Sequence, residues 1–122
     1  MTDNINHPTH YNCRNIGYEC ILLAKRQYFC TGNVIKYLWR YKDKGNPIED
    51  LKKARWYARK AAIRHEKTET SGRCGLIIRK LVASTSGLER AAWYCISRSD
   101  WHLAIEAINR MMKEKENNAQ DE

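Results

Sequence analysis

Two prolines, six glycines and one phenylalanine in 122 residues leave little of what punctuates a β-rich fold. Sustained apolar/polar alternation is missing, so the chain carries no strand signal. No run approaches roughly eighteen apolar residues, so no membrane span is expected. The opening segment, MTDNINHPTHYN, has no basic stretch followed by an apolar one, and no secretory signal is expected. The cysteines (Cys13, Cys20, Cys30, Cys74 and Cys95) are odd in number and form no paired CxxC blocks. Free thiols in a reducing cytoplasm are the simplest account. No G-x-x-x-x-G-K-[ST] occurs, which removes the usual phosphate-binding loop.

What the chain does have is helical periodicity and positive charge. It carries 22 Lys and Arg against 14 Asp and Glu, a net +8. The tail from Lys113 to Glu122 holds two basic and four acidic residues, so the rest of the chain stands at about +10. A surplus of that size favours an anionic partner: a nucleotide, a nucleic acid or an anionic lipid. The plainer alternative is a solvated surface that keeps the protein soluble.

The apolar spacing predicts an all-α fold, a compact bundle of about six helices built from helical hairpins, in a single domain. Helices are expected over 16–28, 33–42, 47–65, 75–83, 87–97 and 100–115. Asn46 is placed to cap the third, with Pro47 at its first position. The polar stretch EKTETSGR, 66–73, reads as a linker or mobile loop. The last residues, 117–122, read as a frayed tail. Two segments, IKYLWRYKDKGNPIEDLKKARWY and AWYCISRSDWHLAIEAINRMM, share the order helix, short polar turn, helix.

The first of these hairpins carries an unusual set of side chains. Asn33, Lys36, Tyr37 and Arg40 fall at i, i+3, i+4 and i+7 and share one helix face. Val34, Ile35, Leu38 and Trp39 lie elsewhere and supply packing. On the next helix Asp50, Lys53 and Tyr57 share a face, as do Glu49, Lys53 and Trp56. The tight turn KDKGNP makes the two helices antiparallel neighbours, so the polar faces are expected to meet across one cleft. Lysine and arginine neutralise phosphate, and arginine does so as a planar fork. Tyrosine stacks on a base or bonds a sugar. Gly32, read as preceding its helix, would let an anion approach the helix N-terminus. The plainer alternative assigns Arg40, Lys44, Glu49 and Asp50 to helix-end charge complementation and the tyrosines to the core.

Ahead of the first helix, HPTHY places His7, His10 and Tyr11 around Pro8. Three readings stay open for it. With Cys13, and Cys20 or Cys30, the histidines have a spacing that can hold zinc, although no CxxC supports it. They can instead contact phosphate or move a proton near neutral pH. The third reading is a capping segment packed on the hairpin.

HPTHY, then IGYEC, then FCTGNVIKYLWRYKDKGNPIEDLKKARWYARK resembles a small phage protein family with the pattern HPxHY, a Glu shortly after, GNxIKYxxRxxxK and EDLxKAxxY. Most of that family is labelled as of unknown function. It includes the T7-type phage nucleotide kinase, which acts on deoxynucleoside monophosphates. The resemblance covers about residues 7–60, half of the chain, and does not extend to residues 66–122. It implies an all-helical, nucleotide-handling protein working in the host cell cytoplasm. It carries over His7, His10, Tyr11, Glu19, Gly32, Asn33, Lys36, Tyr37, Arg40, Lys44, Glu49, Asp50, Lys53 and Tyr57. In a kinase, His7, His10, Arg40 and Asp50 would be catalytic. Tyr11, Glu19, Asn33, Lys36, Tyr37, Lys44, Lys53 and Tyr57, again with Arg40, would hold the nucleotide. Asp50 or Glu49 would then hold Mg²⁺ as the cofactor, or would orient the basic groups.

Three functions follow as expectations. The first is a nucleoside-monophosphate kinase without a P-loop. The second is a non-catalytic binder that sequesters a nucleotide signal of host defence. The third is a nucleic-acid or host-protein binding module, tracking phosphates with the basic helix KKARWYARKAAIR. A homo-oligomer is expected under each, because four Trp and seven Tyr are many for so small a fold. Reversing the charge at Arg40 is expected to abolish nucleotide binding while helicity persists.

Overall fold

The computed structural model describes residues 14–43 and 45–121. Six helices account for most of them: α1 (Cys20–Ala24), α2 (Phe29–Arg40), α3 (Pro47–Ile63), α4 (Gly72–Ser84), α5 (Gly87–Ser97) and α6 (Trp101–Asp121). The described residues contain no strand, as the missing alternation predicts. Each helix packs on the next in the order α1, α2, α3, α6, α5, α4, and α4 returns to α1, so the six close a ring. The expected pair of hairpins is present as α2–α3 and α5–α6. They join through α3 against α6.

The core explains this arrangement. The α3 stripe of Leu51, Ala54, Ala58 and Ala61 is fully buried, and so are Ala104 and Ile108 on α6. Small side chains on both helices let the backbones approach closely. The large volume comes from the flanks: Trp39 of α2 and Trp93 of α5 are completely buried, with Leu38, Ile77 and Ile96 among them. Burial of each such side chain stabilises by about 1.5–3 kcal/mol.

Helix α3 starts as its sequence predicts. Asn46 Oδ1 accepts from the Glu49 amide at 3.1 Å, Pro47 opens the helix, and Glu49 and Asp50 lie in its first turn.

The first two helices differ from expectation. The stretch expected as one helix over 16–28 holds only α1, and α2 begins at Phe29 rather than at residue 33. The chain turns at Lys25–Gln27, and Gly32 packs closely against that turn. A Cβ on Gly32 would meet the Ala24 carbonyl oxygen at 3.0 Å. Gly32 therefore lies inside the first turn of α2 and not ahead of it, where a side chain would press on the Ala24 carbonyl.

The segment 66–73, expected as a linker or mobile loop, is non-helical up to Ser71, where α4 follows from Gly72, and its first residues are bonded to other helices. Glu66 and Thr68 are buried. The Glu66 carboxylate accepts from the Thr31 amide at 2.8 Å and from the Thr31 hydroxyl at 2.7 Å. It thus caps the N-terminus of α2 from across the fold, where the local N-cap residue, Tyr28, provides no side-chain bond. The Trp101 indole donates to the Glu66 carbonyl at 2.8 Å. Thr68 donates through its hydroxyl to the Ile96 carbonyl, and its amide donates to Ser99 Oγ. The partners of these two polar residues are the ends of other helices.

Helices α3 and α5 stop in the same way. The Glu66 amide bonds the Ala61 carbonyl and the His65 amide bonds that of Ala62; Asp100 and Ser99 repeat the pattern on Cys95 and Ile96. The residue that must turn left-handed is a glycine in most such ends. Here it is His65, with φ 54°, and Ser99, with φ 57°. His65 is exposed, so His65→Gly removes the left-handed strain at the cost of some unfolded-chain entropy. The expected result is a melting temperature higher by about 2–4 °C, read by thermal circular dichroism. An unchanged or lower value would show that the imidazole makes a compensating contact.

Candidate functional site

The turn between α2 and α3 lays them antiparallel and brings the predicted faces together, with Tyr37 at the centre. The Tyr57 ring stacks on it, with centroids 6.0 Å apart and planes 12° from parallel. Three cations surround the same ring. Lys36 Nζ lies 4.8 Å from its centroid, Arg40 Cζ 4.9 Å and Lys53 Nζ 5.5 Å. The ring quadrupole holds each cation weakly, and the cations repel one another. Phe29 extends the aromatic surface edge-on to Tyr57 at 6.1 Å, and Trp56 does so at 4.9 Å.

The acidic residues are arranged beneath and beside this face. Asp50 is 3% exposed and Arg40 8%. Their closest approach is Arg40 Nε to Asp50 Oδ2 at 3.4 Å, with a second contact at 3.5 Å. Arg40 is therefore a buried, countered cation that orients the floor of the site. Lys36 and Lys53 are the more accessible ones. Glu49 stands 3.9 Å from Lys53, with both side chains about half exposed, so that pair is weak. The Asn33 amide donates back to the Phe29 carbonyl of its own helix at 2.9 Å. The structure thus brings Lys36, Tyr37, Arg40, Asp50, Lys53 and Tyr57 together, with Asn33 turned aside. Glu19 is half-buried at the start of α1 and makes no capping bond there. His7, His10, Tyr11 and Lys44 lie outside the described residues.

Metal chemistry finds little to hold in the described part of the chain. No group of three or more His, Cys, Asp or Glu forms a metal-binding cluster among those residues. Cys20, Cys30 and Cys74 are buried. Burial raises the Cys30 thiol, and the neighbouring Glu66 carboxylate raises it further, so its thiolate is disfavoured. His7, His10 and Cys13, the proposed zinc residues, lie outside the described residues. Asp50 faces Arg40, and Glu49 faces Lys53.

One polar cluster escapes sequence reasoning altogether. Glu89 of α5 is 6% exposed and gathers donors from three parts of the chain. Arg14 reaches it at 2.5 Å, Lys42 at 2.8 Å, and the Tyr41 hydroxyl and Trp93 indole at 3.2 Å each. Arg14 also donates to the carbonyls of Leu38 and Trp39, closing the C-terminal end of α2. Burial pushes the Glu89 carboxyl up, but the charges of Arg14 and Lys42 and the indole bond outweigh it and hold the group below its ordinary value. Burial, then the Glu89 charge, push the Tyr41 phenol well up. The cluster fixes the end of α2 that carries Arg40, and so acts on the site by positioning. Glu89 and Trp93 at i, i+4 were visible in the sequence, but nothing marked Arg14, 75 residues away, as their partner.

No helix among the described residues is long and apolar enough to cross a membrane. No curated protein matches the chain, and no solved structure matches it. Residues 5–59, which include the whole of α1 and α2 and most of α3, match the model of DUF3310, a family of proteins of unknown function.

Proposed function

We propose that the α2–α3 face binds a nucleotide, with Lys36 and Lys53 neutralising phosphate and Tyr37 and Tyr57 lying against the base or sugar. The observation that carries this reading is the crowding of three cations within 5.5 Å of one tyrosine ring that is itself stacked on a second. Cations held together this way repel, and a bound anion relieves the repulsion. Arg40, held by Asp50, supplies positive potential from below without needing to move. The finer reading is a phage-encoded protein that transfers a phosphoryl group to deoxynucleoside monophosphates in the host cytoplasm. It rests on the resemblance of the HPTHY and GNVIKYLWR segments. Phosphoryl transfer depends mainly on positioning and charge neutralisation, and this face is suited to both.

The test is incubation with a pool of nucleoside mono-, di- and triphosphates and cyclic nucleotides. Mass spectrometry then reads the solution and whatever co-purifies with the protein. New diphosphates establish transfer and name the acceptor. A retained, unaltered nucleotide establishes a binder that sequesters its ligand. Absence of both overturns the nucleotide reading of this face.

A further inference from the structure

We propose that the same surface continues past the Tyr37 cluster and takes single-stranded nucleic acid. The proposal rests on the nucleotide reading above and names the class of ligand that fits the face as a whole. Beyond Tyr57 the surface runs onto Trp56, which is 53% exposed, and Phe29, which is 73% exposed. Both rings touch Tyr57, so the aromatic surface is unbroken from Tyr37 outward. Lys60 Nζ sits 5.1 Å from the Trp56 ring, which repeats around Trp56 the pairing of cation and ring seen around Tyr37. Lys53 and Lys60 are two helical turns apart, about 10 Å along α3. One phosphate cannot bridge that distance, whereas successive phosphates of a strand can.

Charge decides among the occupants of an exposed aromatic face. A second copy of the chain, docked face to face, would set Lys36, Lys53 and Lys60 against their own counterparts. Repulsion of that kind disfavours a symmetric dimer through this patch. A duplex offers phosphates but keeps its base faces stacked inside, leaving Trp56 and Phe29 with nothing to stack on. A single strand supplies both phosphates and open base faces, and aromatic rings between cations are how such strands are held without sequence preference.

The experiment measures anisotropy of a fluorescein-labelled oligodeoxythymidylate roughly a dozen nucleotides long, a length within ordinary site sizes. Thymidine monophosphate and a duplex of equal length serve as competitors. Trp39, Trp93 and Trp101 are at most 5% exposed, so quenching of tryptophan emission on binding reports Trp56. The oligonucleotide should bind at least tenfold tighter than the monophosphate. Log affinity should fall with log salt at a slope of about −2, as expected for three neutralised phosphates on a single strand. Trp56→Ala should weaken the oligonucleotide on the order of 10- to 100-fold and leave the monophosphate unchanged. Lys60→Ala should reduce the salt slope by about 0.7. Both substitutions are on an exposed helix surface and should leave the circular dichroism unaltered. A monophosphate that binds as well as the oligonucleotide overturns this inference and leaves the nucleotide reading standing. If neither ligand binds, this inference falls, and the nucleotide reading is decided separately by the nucleotide pool described above. Equal competition by duplex, or oligonucleotide binding indifferent to Trp56→Ala and Lys60→Ala, also overturns the proposal, because the strand would then be held elsewhere or by charge alone.

Discussion

Replacing Glu89 with alanine is expected to destabilise the fold by about 3–5 kcal/mol, the range for removing one partner of a buried ion pair. The reason is the number of groups left behind. Arg14, with a side chain 9% exposed, would lose its carboxylate partner. The Trp93 indole and Tyr41 hydroxyl would lose the acceptor they share with it. Each buried donor so stranded carries its own desolvation cost. For a chain of this size the melting temperature should fall by about 10–20 °C. A fall of only a degree or two would mean that water or another acceptor fills the gap.

Acid should reveal the same cluster. The Glu89 pKa is lowered on folding from an ordinary 4.5, so its contribution is fully present above that value. It is lost as the pH falls through the folded-state pKa. The stability gap between the native protein and Glu89→Ala, measured by urea midpoints, should therefore be widest near neutral pH and narrow below about pH 4.5. Glu66, lowered by its bonds from Thr31 against the opposing effect of burial, keeps its own acid dependence in both proteins and cancels from the comparison. A gap of the same size at low pH would show that lost volume, and not lost charge, is what alanine removes.

Glu66 and Glu89 also show where sequence reasoning stops. Helical periodicity within single segments was legible, and so was the Asn46–Pro47 start, because a helix and its cap depend on neighbours a few residues away. The gathering of Lys36, Tyr37, Arg40, Lys53 and Tyr57 was legible for the same reason, since one tight turn fixes how α2 meets α3. Glu66 looked like part of a solvated loop because its partner is the start of a helix 35 residues earlier. Arg14 carries no local signal either, since its carboxylate partner is 75 residues away. Gly32 was taken as a helix entrance because its tightest contact, Ala24, lies on the other side of a turn that apolar spacing does not register. Arg40 was placed on the right face but at the wrong depth. Spacing tells which side of a helix a residue occupies, whereas burial depends on what the next helix sets against it, and here that is Asp50.

That depth separates two charge reversals that sequence alone would have treated alike. Lys36→Glu combined with Lys53→Glu should leave the fold intact and reduce nucleotide affinity by at least a hundredfold. Lys36 is half-buried and the Lys53 side chain is 44% exposed, so neither lies as deep as Arg40. Two reversals replace two attractions with two repulsions, each amounting to about 1 kcal/mol or more at the effective dielectric of a protein surface. Arg40→Glu should behave differently. It would set a second carboxylate against Asp50 at 3% exposure, with its cation removed. The expected cost, about 3–5 kcal/mol, appears as lost helicity or a sharply lowered melting temperature before any binding is measured. The informative pair is therefore isothermal titration with the double lysine variant beside thermal denaturation of Arg40→Glu. Full affinity in the folded lysine variant would remove the phosphate role from this face. An Arg40→Glu protein that stays stable but binds nothing would instead place Arg40 in direct contact with the ligand, with Asp50 as the group that aims it.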